Sequence, residues 1–326
     1  MGKDISDKDM TMDIRKQKLL EEYLASVSRY KDAMQYAKNE PSKFKRAFRN
    51  FKTFGFSYLA YSLARMKARG VLGNMRSNLF FGREMIWPAG DVSATVSSMY
   101  GIAHHKSERR LTLWMIKNIE DSAVIYDVGA HLGYYTALSE QIAVNGEVYA
   151  FEANKSLCGY LDTNFSRSKN VHVVCGAVSD SVGEIDFYDA TDAEDSSTSS
   201  RFDVLGLCIT PSKIPATTLD EYVRAGNKPP TIIKLDIEGG EYEAICGALN
   251  LIKKYGPRII MEVWGGELGR KYSDKAIKKL QELGYRAFSL ESDGSISEGS
   301  IDDPVGSISD SSHGARDNFL FSPMKK

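Results

Sequence analysis

The run Val124-Ile125-Tyr126-Asp127-Val128-Gly129-Ala130-His131-Leu132-Gly133-Tyr134-Tyr135-Thr136 constrains the fold more than any other part of the chain. An apolar stretch of this length suits a strand buried on both faces, and the glycines that follow permit a sharp turn into a helix. A second apolar run, Glu147 to Phe151, ends on Glu152. Adjacent parallel strands would set that carboxylate beside the glycine turn, where it can accept both hydroxyl hydrogens of a ribose. A tight turn without a ligand is the plain alternative, and the acid at the end of the next strand weighs against it. A dinucleotide site also carries an acid roughly 20 residues after its first glycine. Gly129 and Gly133, however, lack the close glycine pair that lets a backbone wrap a pyrophosphate.

A second signal lies at Thr231-Ile232-Ile233-Lys234-Leu235-Asp236-Ile237-Glu238-Gly239-Gly240-Glu241. Here an apolar strand ends on Asp236, and two glycines lead into a helix opening at Glu241. Charged groups thus collect at the carboxyl edge of a sheet, where open α/β folds bind ligands. Strand alternation puts Lys234 on the same side as Asp236, so the two can pair, or Lys234 can orient a substrate oxygen.

These blocks, with Thr217-Thr218-Leu219-Asp220, Pro257-Arg258-Ile259-Ile260-Met261-Glu262 and Asn318-Phe319-Leu320-Phe321, resemble the FkbM-type family of S-adenosylmethionine-dependent O-methyltransferases. They stand in the family's order across roughly residues 83 to 322. The resemblance implies a class I methyltransferase fold: an α/β, Rossmann-like, seven-stranded, mainly parallel sheet with helices on both faces. One antiparallel strand is expected near the C-terminal edge, at Asn318 to Phe321. It also implies S-adenosylmethionine as cofactor and a hydroxyl acceptor on a sugar, glycan, glycolipid or polyketide-like molecule. Asp127 and Gly129 are expected near the methionine part, Glu152 on the ribose, and Ala177, Val178 and Asp180 against the adenine. Ala130, His131, Gly133, Tyr135 and Thr136 complete the expected cofactor set. Two positions depart from the family, which usually has Asn where His131 stands and Pro where Ala153 stands. His131 can still donate or accept a hydrogen bond, and Ala153 loses only the stiffness of proline.

Methyl transfer to an oxygen is an in-line displacement, so positioning does most of the work and a base removes the acceptor's proton. Asp236, Glu238 and Glu262 are the acids that topology places best, with Lys234 beside them. Asp236 is the first choice as base or substrate holder, against the alternative that it caps the following turn. A divalent cation held by Asp236 and Glu262 is conceivable in an oxygen-rich site but not favoured, since no third ligand is evident. Cysteines at 158, 175, 208 and 246 form no C-x-x-C pair, which argues against a metal-thiolate centre.

With 326 residues and 42% hydrophobic content, the chain can bury one catalytic domain, 83–326, and an N-terminal helical appendage, 1–82. Val124 to Val128, Val148 to Glu152, Val171 to Cys175, Ile232 to Asp236 and Ile259 to Val263 read as central strands, and Glu184 to Tyr188 as a hairpin strand. Leu20, Val27 and Met34 recur every seven residues, with Tyr23, Tyr30 and Ala37 three further on. This short seam suits docking on its own chain as well as a homodimer contact, and Pro41 ends its helix. Serine-rich stretches at Asp189 to Arg201 and Ser292 to Ser312 read as a substrate-side lid and a solvated mobile loop.

The net charge of -1 hides an asymmetry. Between Pro41 and Gly82 stand nine Lys or Arg and no Asp or Glu, interleaved with aromatic residues. The segment reads as helical. The bland expectation packs its aromatic side inward and turns its basic side to water; the functional one is contact with an anionic membrane surface or glycolipid. Nucleic acid is not favoured as a partner, because residues 179 to 203 carry eight acids and one Arg. An RNA methyltransferase and a non-catalytic cofactor-binding scaffold are the rival readings. Met1 to Met12 lack an apolar signal core, so a cytoplasmic protein, peripheral to the membrane at most, is expected. Met1-Gly2-Lys3-Asp4-Ile5-Ser6 fits an N-myristoylation pattern only as a chance match would.

Overall fold

The computed structural model describes residues 13–54, 58, 74–88, 97–103, 105–188, 211–308 and 315–324. The expected lid at 189–201, the extreme N-terminus and most of 55–73 lie outside the described residues. The chain divides into two compact units, one of residues 1–104 with Leu113–Asn118, the other of His105–Thr112 with Ile119–Lys326.

In the first unit, α1 (Ile14–Asn39) starts at Asp13, whose carboxylate accepts the Arg15 N–H, and stops two residues before Pro41. Its buried line runs through Leu19, Tyr23 and Ser26, while Met34 is exposed, so the expected heptad seam is right at the tyrosines and off by one residue between them. The Tyr23 ring lies 5.1 Å from Phe80 and the Tyr30 ring 5.0 Å from Tyr100. After α2 (Lys43–Phe54), the helical expectation for the basic segment fails at its far end. Asn74–Asn78 is a strand, β1, paired antiparallel with β2 (Glu84–Pro88). Only Met75 is apolar in β1, so no alternation betrays it; the pairing is fixed by Met75, Met85 and Trp87, all buried, and by Trp87 Nε1 donating to Ser77 Oγ at 2.9 Å. Gly82 lies in the turn between the two strands, which puts residue 82 inside a hairpin.

The second unit is built on β3 (Val124–Val128), β4 (Glu147–Glu152), β5 (Val171–Cys175), β9 (Ile232–Leu235), β10 (Arg258–Trp264), β11 (Tyr285–Ser289) and β12 (Arg316–Pro323). They form one seven-stranded sheet in the order β11-β12-β10-β9-β3-β4-β5. β9, β3, β4, β5 and β10 pair in parallel, and β12 runs antiparallel to both of its neighbours. This is the Rossmann-like sheet that the sequence implied. Ala177–Val178 (β6), Gly183–Phe187 (β7) and Ser212–Thr217 (β8) make a separate three-stranded sheet, with β7 antiparallel to β8 as the hairpin expectation required.

The central strands are apolar on both faces because helices cover them, and Tyr126, Phe151, Ile233, Leu235, Ile259 and Met261 share one core. The phenol of Tyr126 is satisfied by donating to the Lys228 carbonyl at 2.7 Å. From β3 the chain moves outward through β4 and β5, then returns to β9 on the other flank of β3. Strand order therefore reverses between β3 and β9, and the crevice at their carboxyl ends is the natural ligand site.

The serine-rich stretch after β11 is exposed over most of its described length, as expected of a solvated loop, and its residues 309–312 lie outside the described residues. Bridges pair Leu290 with Ile296 and Ala287 with Ile301, a short helix spans Pro304–Ser307, and Arg270 holds Asp303 through two nitrogens at 2.7 and 2.6 Å. The bridge from Ala287 to Ile301 ties this segment to β11.

Candidate active site

The turn after β3 is built by backbone contacts that only glycine allows. Gly129 has φ +83°, and a Cβ there would lie 1.9 Å from the Asp236 carbonyl oxygen. Its N–H and that of Ala130 both donate to the Phe151 carbonyl, each at 3.0 Å. These two turn amides are therefore committed to joining β3 with β4. His131 also adopts a left-handed conformation, φ +52°. That accounts for the departure noted in the sequence: Asn and His both tolerate this region better than other side chains, so His substitutes for Asn without breaking the turn.

Glu152 is held from both sides, with Oε2 accepting from the His131 N–H and Oε1 from the Asn154 N–H, both at 2.8 Å. Asn154 then caps the helix Lys155–Phe165 by accepting from Ser156 and Leu157. Burial pushes the Glu152 carboxyl above its ordinary pKa, opposed by those two N–H donors and by His131. Each oxygen keeps a further lone pair for a hydroxyl donor. Asp127, at the end of β3, is also buried; Thr136 Oγ1 donates to its Oδ2 at 2.6 Å, while Oδ1 has no hydrogen-bond partner. A buried carboxylate with one oxygen outside any hydrogen bond, an acid held from both sides and a glycine turn together fit a cofactor with a cationic amino acid part and a ribose. Gly133 and Tyr135 support this wall from the start of the next helix, Tyr134–Ile142, and Tyr135 is buried. Ala177 is buried in β6 and Asp180 is exposed just beyond it, with Gly176 tied to the Glu152 carbonyl at 2.9 Å.

One feature of this wall was not read from the sequence. Cys158 and Cys175 are joined by a disulfide, Cα–Cα 5.8 Å, between the helix Lys155–Phe165 and the end of β5, where Cys175 is in register with Glu152. The seventeen-residue separation hides the pair, because helix-to-strand packing brings the two together.

Across the crevice, Lys234 Nζ lies 3.2 Å from Asp236 Oδ2, 3.6 Å from Asp127 Oδ1 and 5.1 Å above the Tyr135 ring. Burial alone would pull the lysine's pKa down; the Asp236 and Asp127 carboxylates more than reverse that, so it stays charged. Burial likewise acts to raise Asp236, but Lys234 and then Arg316 outweigh it and hold the carboxyl below its ordinary value. Glu262 is the opposite case. Burial first and the Asp236 charge second push its carboxyl well above the ordinary range, with Arg316 opposing only in part.

Oxygen atoms of Asp236, Glu238 and Glu262 lie within 4.8 Å of one another. Arg316 Nη1 stands among them, 3.0 Å from Glu238 Oε1 and 3.4 Å from Glu262 Oε2, and its guanidinium carbon is 5.3 Å from the Trp264 ring centre. A divalent cation at these acids would compete with a guanidinium already in contact with two of them. Glu238 has φ +56°, strain of the kind that gathers at ligand sites. Glu241 turns back to accept from the Ile237 and Gly239 N–H groups, so it holds the loop rather than facing the crevice.

Arg316 and Glu108 are the site residues that sequence reasoning missed. Burial raises the Glu108 carboxyl, and the Asp236 charge adds to that effect while His105 opposes it. Its backbone carbonyl also accepts from the Tyr135 hydroxyl at 3.3 Å. Arg110, on the helix Lys106–Asn118 that also carries Glu108, forms an ion pair with Asp317 on β12. Neither Glu108 nor Arg316 belongs to a recognisable motif; the polar Arg316-Asp317-Asn318 lead-in to the apolar strand is the only available signal.

The geometry is that of an α/β methyltransferase crevice, and comparison with known proteins agrees. Residues 127–287 match the methyltransferase FkbM domain, so this part of the chain is similar to the S-adenosylmethionine-dependent methyltransferases of that type. It is 24% identical over 174 residues to the hexuronic acid methyltransferase AglP of Haloferax volcanii, a match covering 53% of this chain and 69% of that one. Among solved structures, a methyltransferase FkbM from Methylobacillus flagellatus superimposes with a TM-score of 0.40 at 15% identity, covering 63% of this chain and 44% of that one. An O-methyltransferase from Bacillus cereus gives 0.37 at 14% identity, covering 68% and 82%.

Proposed function

We propose that the chain methylates an oxygen of a sugar, glycan or glycolipid acceptor, and that the unit built on the seven-stranded sheet carries the chemistry with the N-terminal region as an appendage. The observation that supports this best is the pair of opposed carboxyls beside Lys234: Asp236 held ionised and Glu262 pushed upward, with oxygens within 4.8 Å. The hexuronic acid acceptor in the relative's name favours a sugar.

In this reading Glu152 binds the cofactor's ribose, and Asp127 with the Gly129 turn faces its methionine part. Ala177, Val178 and Asp180 line the adenine side. Bound S-adenosylmethionine supplies an electrophilic methyl group on a sulfonium. Asp236, fixed by Lys234, accepts the hydrogen bond of the acceptor hydroxyl and aims its oxygen. Glu262, whose raised pKa brings it nearer the working pH, takes the proton, a role worth roughly 10²- to 10⁴-fold. Arg316 holds Glu262 and Glu238 in place. This revises the assignment of Asp236 as base, since a carboxylate stabilised by two cations is a weak proton acceptor.

A second reading takes the carboxylate of a uronic acid as the acceptor oxygen. The Arg316 guanidinium at the crevice favours it, because a carboxylate needs no base and seeks such a group. A cytoplasmic place of action also belongs to the proposal. Among the described residues no helix is long and apolar enough to cross a membrane.

The test is product identification by NMR after reaction with glucose, glucuronic acid and their oligomers, alongside cofactor titration of Glu152→Ala. Methyl ether formation supports hydroxyl transfer, methyl ester formation the second reading. Methylation confined to a nitrogen, or unchanged cofactor affinity in the variant, would contradict the proposal.

A further inference from the structure

Helix α2 is oriented against the rule for a soluble amphipathic helix. Phe44, Phe48 and Phe51 follow one another at four- and three-residue spacing, so they share one face. Such a face normally turns inward. Here the three rings are 78%, 62% and 55% exposed, and Phe44 and Phe48 stack on each other at 6.4 Å. It is the polar face that is docked. Arg46 Nη1 donates to the Ala37 carbonyl at 2.9 Å, and the Arg49 guanidinium lies 3.9 Å from the centre of the Tyr36 ring, both partners on α1. The bland expectation therefore fails for the aromatic side of α2, which is exposed, while its lysines face water as that expectation had them.

Lys45 and Lys52 lie along one flank of the phenylalanine face and Lys43 along the other, all exposed. With rings at the centre and lysines at the edges, the face can sink its apolar part while the ammonium groups reach outward on their flexible stems. No Asp or Glu occurs anywhere from 41 to 82 to oppose an anionic surface. We infer that α2 is an interfacial helix that seats this protein on an anionic lipid surface through Phe44, Phe48 and Phe51, with Lys43, Lys45 and Lys52 paired to the lipid headgroups. Helices of this pattern lie in the interface plane, held by apolar burial and by attraction to anionic lipids. The twelve residues span roughly 18 Å, enough for the three rings to insert together. The inference stands apart from the acceptor assignment, since it concerns where the enzyme sits and not what it methylates.

The experiment is vesicle sedimentation of the full chain with phosphatidylcholine vesicles containing 30% phosphatidylserine, and with phosphatidylcholine alone, at low and high salt. Cofactor titration of each variant serves as the folding control. The intact protein should pellet with anionic vesicles, at least tenfold less with neutral ones, and less again as salt rises. Phe44→Ser/Phe48→Ser/Phe51→Ser should lose pelleting at low salt while binding cofactor normally, and Lys45→Glu/Lys52→Glu should weaken it several-fold. Absence of pelleting with anionic vesicles would overturn the inference, as would equal pelleting of the triple serine variant. Concentration-dependent self-association of the intact protein, lost in that variant and without vesicle binding, would reassign the face to a second copy of the chain. Failure of methyl transfer with vesicle binding intact would bear on the acceptor reading alone.

Discussion

The carbonyl oxygen of Asp236 occupies the space that a side chain on Gly129 would need, 1.9 Å from the place its Cβ would take. The turn after β3 and the loop after β9 are thus in backbone contact across the two strands where sheet order reverses. Gly129→Ala must part them and also strain a φ of +83°. It should destabilise the protein by about 3 kcal/mol and weaken cofactor binding at least tenfold. Thermal unfolding and calorimetric titration check this, and a melting temperature unchanged within experimental scatter would count against it.

Lys234 stands between two carboxylates and is nearly inaccessible to water. Lys234→Met leaves Asp127 and Asp236 without their cation, and breaking such a buried pair costs about 3 to 5 kcal/mol. The pH dependence follows from the signs. Asp236 has a depressed folded pKa, so its stabilisation is present above the unfolded value near 3.9 and is lost as pH falls through the folded one. Lys234 has a raised folded pKa, so its share is complete below the unfolded value near 10.4 and is lost only as pH rises beyond it. Urea unfolding of the variant should show its deficit across the neutral range, shrinking on the acid side.

Glu262 carries the opposite sign. Its folded pKa is raised, so ionising it at neutral pH works against folding, and that burden grows as pH rises from the unfolded value near 4.3 through the folded one. Glu262→Gln should melt higher than the parent at pH 8 and by less at pH 5, while kcat falls roughly 100-fold or more. Loss of stability at pH 8 together with unaltered kcat would refute the assignment.

At His131 the backbone decides. His131→Asn should keep stability and cofactor affinity, because Asn accepts a positive φ readily. His131→Val should cost about 1 to 2 kcal/mol, since β-branched residues resist that conformation. Equal melting temperatures for the two variants would show that the turn carries no such constraint.

The strands that meet at the site were legible because burial on both faces writes a continuous apolar run, as at Ile232 to Leu235, and at β4 and β9 the run leads into an acid at the carboxyl edge of the sheet. Asp236, Glu262, Lys234 and Glu152 could therefore be placed by topology. The hairpin strand Asn74–Asn78 left no such mark, being held by three buried side chains rather than by an apolar pattern. Arg316 reaches Glu238 across 78 residues of sequence and Glu108 comes from a helix preceding the sheet, so neither has a local signature. Cys158 and Cys175 are hidden for the same reason. The face that α2 presents was not legible either, because a helical pattern gives its two sides without saying which is docked.

Transfer of labelled methyl from S-adenosylmethionine to a uronic acid-containing oligosaccharide, comparing the intact protein with Asp236→Asn and Glu262→Gln, tests the central claim most directly. The account predicts label on a sugar oxygen, reduced at least 100-fold in both variants with cofactor affinity retained. Transfer at the parental rate in both variants would contradict it.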